Sequence, residues 1–145
     1  LGLISILFPN AKNIHCHREP LYVAISCYTT LFKLGNDFTN DLMHFGQYYQ
    51  EYLRLMAHWA AALPTKYFSL QYEDLVHNPE TVTKDLIAFC ELPWEEACLQ
   101  FDRNERTVRT PSIWQVRQKL YGTSIGRWKN YEKHLAELES FLRTD

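Results

Sequence analysis

The stretch NIHCHREPLYVAISCY, residues 13–28, decides how the chain is read. Ile14, His15, Cys16 and His17 alternate in polarity. This predicts a short strand with Ile14 and Cys16 on one face and the two histidines on the other. Arg18 closes the run. Pro20 then suits the first turn of a helix, where a missing N–H costs nothing. Val23, Ala24, Cys27, Tyr28 and Leu31 recur at helical spacing and carry that helix to about Phe32. A strand that turns into a helix is where α/β proteins bind ligands. The helix start is expected to offer unpaired N–H groups and the positive end of its dipole. Arg18 brings a planar fork of donors suited to a phosphate. Ser26, eight residues on, adds a hydroxyl two turns into the helix. By themselves the two residues fit an anion site, and they also fit a surface salt bridge beside an ordinary helical serine.

Upstream, residues 1–8 read as the end of an apolar helix stopped at Pro9. Downstream, Gly35 and Asn36 mark a loop. The loop at 33–41 is a candidate border of an acceptor site. A long amphipathic helix follows over roughly 40–62, with Leu42, Phe45, Tyr52 and Trp59 on its apolar stripe. Tyr67–Tyr72 is β-prone and predicts a second strand. Asn78-Pro79-Glu80 starts a helix to about residue 91, and Pro93-Trp94 opens a short one to about Leu99. Beyond lie charged residues, a Thr-Pro-Ser turn, and short helices predicted at 112–119, 126–131 and 134–143. The order of strands and helices predicts an α/β fold, a parallel sheet flanked by helices with a helix-rich C-terminal segment. Two strands are too few for a stable sheet, so further strands are expected to complete it.

The chain has 145 residues, enough for one domain or a large part of one. Nine Tyr, eight Phe and four Trp supply a packed core and exclude a disordered chain. The net charge of -2 excludes a protein basic throughout. Charge is uneven, however: residues 103–133 hold eight Lys and Arg against two acids, Glu105 and Glu132. This local excess points to an anionic partner or a solvated basic face. Cys16, Cys27, Cys90 and Cys98 lack regular spacing and read as small core residues rather than a disulfide framework. No apolar run reaches the roughly 20 residues that span a bilayer. LGLISILFP lacks the charged start and cleavage site of a signal peptide, which with the cysteine pattern leans toward the cytoplasm. The first residue is Leu rather than Met, so the chain is expected to begin inside a larger protein.

FPNAKNIHCHREPLYVAISCY resembles the 3′-phosphate-binding region of sulfotransferases that use 3′-phosphoadenosine 5′-phosphosulfate (PAPS). There a strand leads to an Arg, a Pro two residues later, and a Ser eight residues after the Arg, followed by a Tyr. Arg18, Pro20, Ser26 and Tyr28 match it. LRLMAHW (53–59), LQYEDLVHNPE (70–80), AFCELPWEEACLQF (88–101) and RTPSIWQVRQKLYGTSIGRWKNYEKHL (109–135) are similar to later stretches of the family in the same order. The last is most like bacterial members and is related to the tyrosylprotein sulfotransferases. The resemblance implies a P-loop-like sulfotransferase fold, with 1–145 as the C-terminal portion of a single domain. It implies that Arg18 and Ser26 hold the 3′-phosphate of PAPS and that Tyr72 sits by the adenine. It assigns Ser112, in Ser-x-x-Gln-Val, to the sulfate-bearing end as a candidate stabiliser of the leaving group. Arg127 falls where the tyrosylprotein enzymes have a Lys before Trp, and so contacts phosphate. Tyr121 and Ser124 are further candidates in the same loop, and Trp128 packs that loop shut.

In this family the Gly-, Ser- and Thr-containing 5′-phosphosulfate loop and the catalytic base lie well upstream of the Arg. No such loop can be read in a chain with five glycines, so both are expected before Leu1. The 145 residues alone are therefore expected to be inactive. The implied partners are the missing N-terminal part of the domain and a sulfate acceptor: a protein tyrosine, a carbohydrate, a lipid or a small molecule. No metal is implied. His15 and His17 share a strand face but lack an evident third ligand; they read as polar residues beside the cleft. His58 reads as structural beside Trp59, and His44, His77 and His134 as surface residues. The competing reading is a nucleic-acid-binding module, with Trp114, Tyr121, Trp128 and Tyr131 interleaved among the basic residues of 103–133. A non-catalytic interaction domain is the third.

Overall fold

The structure is a computed structural model that describes residues 1–30, 32, 35–63, 67–103 and 126–143. The helix predicted at 112–119, and Ser112, Tyr121 and Ser124 with it, lie outside the described residues. The backbone forms two compact units: Leu1–Ala11, Arg18–Lys66 and Ile125–Asp145 in the first, Lys12–His17 and Tyr67–Ser124 in the second.

The first unit is helical among its described residues. Helix α1 spans Gly2–Leu7, α2 Pro20–Tyr28, α3 Leu42–Ala62 and α6 Glu132–Leu142. Asp41 caps α3, accepting from the N–H groups of Met43 and His44 at 2.8 and 2.9 Å. Leu21, Ala24 and Ile25 of α2 meet Phe45 of α3 and Leu135 and Leu138 of α6 in one buried cluster. Burial of these side chains, at about 1.5–3 kcal/mol each, supplies most of what holds the helices together. Gly46 lets α3 and α6 approach closely: a Cβ there would lie 2.8 Å from Leu138 Cδ1 and 2.9 Å from Phe141 Cδ1. Helix α1 buries none of its side chains and leaves Leu3, Ile6 and Leu7 exposed.

Helix α2 stops at Tyr28, short of the Phe32 predicted. The Thr29 hydroxyl bonds back to the Ile25 carbonyl at 2.8 Å and the Thr30 hydroxyl to the Ser26 carbonyl at 2.6 Å. The Thr29 N–H still reaches the Ile25 carbonyl at 3.0 Å, but the Thr30 N–H turns to the Cys27 carbonyl, three residues back, while its hydroxyl takes the Ser26 carbonyl that the next helical bond would use.

In the second unit β1 (Ile14–His17) pairs in parallel with β2 (Phe68–Gln71), Ile14 opposite Phe68 and His17 opposite Gln71. Helices α4 (Tyr72–His77) and α5 (Pro79–Phe89) follow directly. Phe68 packs on Phe89 with ring centroids 5.4 Å apart. Helix α4 was not legible as a helix: Tyr72 is its first residue rather than the end of a strand. Helix α5 ends in a Schellman motif, with Leu92 N–H donating to the Ile87 carbonyl and Glu91 N–H to that of Ala88. Glu91 takes the left-handed position, φ 58°, that glycine usually fills.

The parallel pair and its helices agree with an α/β fold. The cysteine reading needs correction. Cys16 is exposed, and Cys27, Cys90 and Cys98 are only partly buried. Alternation along β1 gave the two faces correctly but not which is covered: Ile14 and Cys16 are exposed, His15 and His17 half-buried.

Candidate anion-binding site

Arg18 follows the last residue of β1, and Glu19 is the N-cap of α2. Pro20 has no N–H, so the first free donors of the helix belong to Leu21 and Tyr22. The Glu19 carboxylate takes both, Oε1 from Leu21 N–H at 3.1 Å and Oε2 from Tyr22 N–H at 2.9 Å. The expectation of open N–H groups at this helix start is therefore corrected. The chain supplies its own carboxylate, which also neutralises the dipole end. An anion bound here must be held by side chains.

The two side chains expected to do so are Arg18, just before α2, and Ser26, within it. The Arg18 guanidinium lies over the Tyr22 ring, Cζ 3.9 Å from the centroid, with Nε and Nη2 buried. Tyr22 is 8% exposed and forms a fixed floor. Ser26 stands one turn further on, four residues from Tyr22, and so shares its face. A helical side chain leans toward the N-terminus, which tilts Ser26 toward Tyr22. Its side chain is exposed. The cation lies on the Tyr22 ring, and the Ser26 hydroxyl follows one turn along the same helix.

Arg127 opens a short 3-10 helix, Arg127–Tyr131, that packs against α2. The turn before it needs Gly126, whose φ is +82°. Arg127 is exposed, and Trp128 packs on the buried cluster of the first unit. Tyr72 belongs to the second unit, half-buried at the start of α4, in a first turn that also carries Glu73 and Asp74. Gln71 Nε2 donates to Glu73 Oε2 at 2.5 Å.

His15 and His17 stack with centroids 5.2 Å apart, and His17 Nε2 lies 2.9 Å from Ser69 Oγ. Tyr67 meets His15 edge-on at 5.7 Å. Burial, and then the charge of His17, lower the His15 pKa below the ordinary histidine value. Among the described residues no three His, Cys, Asp or Glu side chains come together as a metal site. His44, His77 and His134 are exposed, and so is His58 beside Trp59. Among the described residues no helix is long and apolar enough to cross a membrane.

Sequence reasoning missed Tyr22 and the capping role of the Glu19 carboxylate. Tyr22 sits four residues before Ser26, and that spacing was the available signal. Glu is not a favoured N-cap residue, so Glu19 gave none.

Comparison with known proteins places the family. A model described as the sulfotransferase family matches residues 1–96, which include Arg18, Ser26 and Tyr72 and exclude Ser112, Tyr121, Ser124 and Arg127. The chain is also 38% identical to an uncharacterized protein of Aquifex aeolicus (strain VF5) across 99% of its own length. It spans 19% of that relative.

Proposed function

The chain belongs to the sulfotransferase family, and from that premise we propose that it carries the 3′-phosphate and adenine side of a PAPS site. The observation that carries this reading is the shared face of α2, where Arg18 lies on Tyr22 and Ser26 follows one turn later. Arg18 neutralises the ribose 3′-phosphate and fixes its orientation through charge-assisted hydrogen bonds. Ser26 adds one neutral bond. Tyr72 offers a ring for the adenine to stack on and a hydroxyl to bond it. Arg127, with Ser112, Tyr121 and Ser124, supplies further donors to the phosphate and sulfate end.

When bound, PAPS supplies the sulfuryl group that passes to an acceptor oxygen or nitrogen. The contribution of these residues is positional: they hold the nucleotide so that the reacting end is aligned. The 5′-phosphosulfate loop and the base that removes the acceptor proton are assigned to sequence before Leu1. The acceptor is a protein tyrosine, a carbohydrate, a lipid or a small molecule. Family membership favours a nucleotide over a nucleic acid as the partner of the basic residues.

The test is thermal unfolding with adenosine 3′,5′-bisphosphate (PAP), with ATP, and with single-stranded DNA at two salt concentrations. A rise in melting temperature with PAP, larger than with ATP and the DNA, is expected. A salt-sensitive rise with DNA alone supports the nucleic-acid module instead. The isolated 145 residues are expected to transfer no sulfate from labelled PAPS.

A further inference from the structure

We infer that Glu19 decides which anions the start of α2 accepts: its carboxylate, docked on the first turn, shuts out free inorganic phosphate and leaves this end to a phosphate carried by a nucleotide. The nucleotide half of the inference rests on the reading of this region as part of a PAPS site; the exclusion does not.

The backbone donors of the first turn are all in use. Pro20 has none. Leu21 N–H donates to Glu19 Oε1 at 3.1 Å and Tyr22 N–H to Oε2 at 2.9 Å. The Glu19 carbonyl also takes Tyr22 N–H at 3.1 Å and Val23 N–H at 3.2 Å. One residue thus closes what a helix start offers an oxyanion. Capping alone does not call for glutamate. Ser, Thr and Asn are favoured caps, and each closes a donor with a neutral oxygen. At α3, Asp41 uses Oδ1 alone for both N–H groups. Glu19 sets one oxygen on each donor and places a negative charge at the positive end of the dipole. The turn is also held in place, because Leu21 is 4% exposed and belongs to the buried cluster with Phe45 and Leu135.

Inorganic phosphate has the shape and charge of a ribose phosphate, so an open helix start would bind both. They differ in what else they bring. A free oxyanion has only its own oxygens, and at this turn it meets a like charge and closed donors. A nucleotide phosphate is tethered to a ribose and a base, whose contacts offset the repulsion. Selectivity of this kind comes from a charge set against the competitor.

Phosphorus NMR of inorganic phosphate with the full-length protein, at constant ionic strength, tests this. Glu19→Ser and Glu19→Gln each keep a cap acceptor and remove the charge. Glu19→Gln, nearest in shape, covers the case in which the serine cap fails to hold the helix. Glu19→Asp keeps cap and charge together, as Asp41 does at α3. Wild type and Glu19→Asp are expected to bind phosphate alike, and the two neutral variants to bind it about 2- to 30-fold more tightly. Saturating PAP is expected to abolish that gain.

The inference is overturned if neither neutral variant gains phosphate affinity, or if Glu19→Asp gains as much as they do. A gain that persists under saturating PAP, or in a protein that binds no PAP, leaves the exclusion standing and removes the nucleotide from this helix start. PAP binding without any gain in the neutral variants leaves the PAPS reading intact, and only the role of Glu19 fails.

Discussion

Gly46 and Leu138 touch so closely that a Cβ on the glycine would stand 2.8 Å from Leu138 Cδ1. Leu138 is 1% exposed and belongs to the buried cluster with Phe45 and Leu135. Alanine in place of glycine within a helix ordinarily gains about 1 kcal/mol. Here overpacking outweighs that gain, and Gly46→Ala is expected to destabilise the protein by about 1–3 kcal/mol. Urea denaturation of the variant checks the sign.

The stacked histidines of β1 make the second unit sensitive to acid. Burial and His17 hold the His15 pKa below its ordinary value, so the unfolded chain takes up that proton first as the pH falls. The stability tied to neutral His15 is complete above about pH 6.5 and drains away below it, through the lowered folded value. Melting temperatures from pH 7.5 to 5 are expected to fall, and His15→Gln is expected to flatten part of that slope. Parallel slopes for the two proteins would rule out the assignment.

Glu91 holds a left-handed backbone at the end of α5, and its carboxylate pairs with Lys12 Nζ at 2.5 Å. The pair is largely exposed and is worth under about 1 kcal/mol. The conformation costs a non-glycine residue about 1–2 kcal/mol. Relief of strain therefore wins, and Glu91→Gly is expected to raise stability by about 0.5–1 kcal/mol. Lys12→Ala alone is expected to lower it by a few tenths of a kcal/mol. Thermal melts of the two variants test both signs.

Much of the fold was legible where local pattern and tertiary packing agree. Strands β1 and β2 were found to within a residue or so, and α3 to within two at its start, because their apolar periods are strong. Helix α4 was hidden because Tyr67–Tyr72 is β-prone to its last residue, and only Glu73 and Asp74 in the next turn signal a helix start. The early end of α2 turns on Thr30, whose hydroxyl takes the Ser26 carbonyl in place of its own N–H, which composition does not reveal. Cys16 shows the limit of periodicity: alternation sorts residues into faces, but which face is covered depends on the rest of the fold. At the site, spacing singled out Arg18 and Ser26, and the helix that the same spacing predicted carries Ser26 one turn beyond Tyr22. Tyr22 offered only its spacing from Ser26 as a signal, because a tyrosine on an apolar helix looks like core, and by burial it is core. Its contact with Arg18 exists only once the chain turns at Glu19.

The most direct test of the central claim is the affinity of the full-length protein for PAP, measured by titration calorimetry, in wild type and Arg18→Ala. Loss of the charge-assisted bonds is expected to cost about 1.5–3 kcal/mol, roughly 10- to 150-fold in Kd. Ser26→Ala is expected to cost about 0.5–1.5 kcal/mol. Equal PAP affinity in wild type and Arg18→Ala would contradict the account.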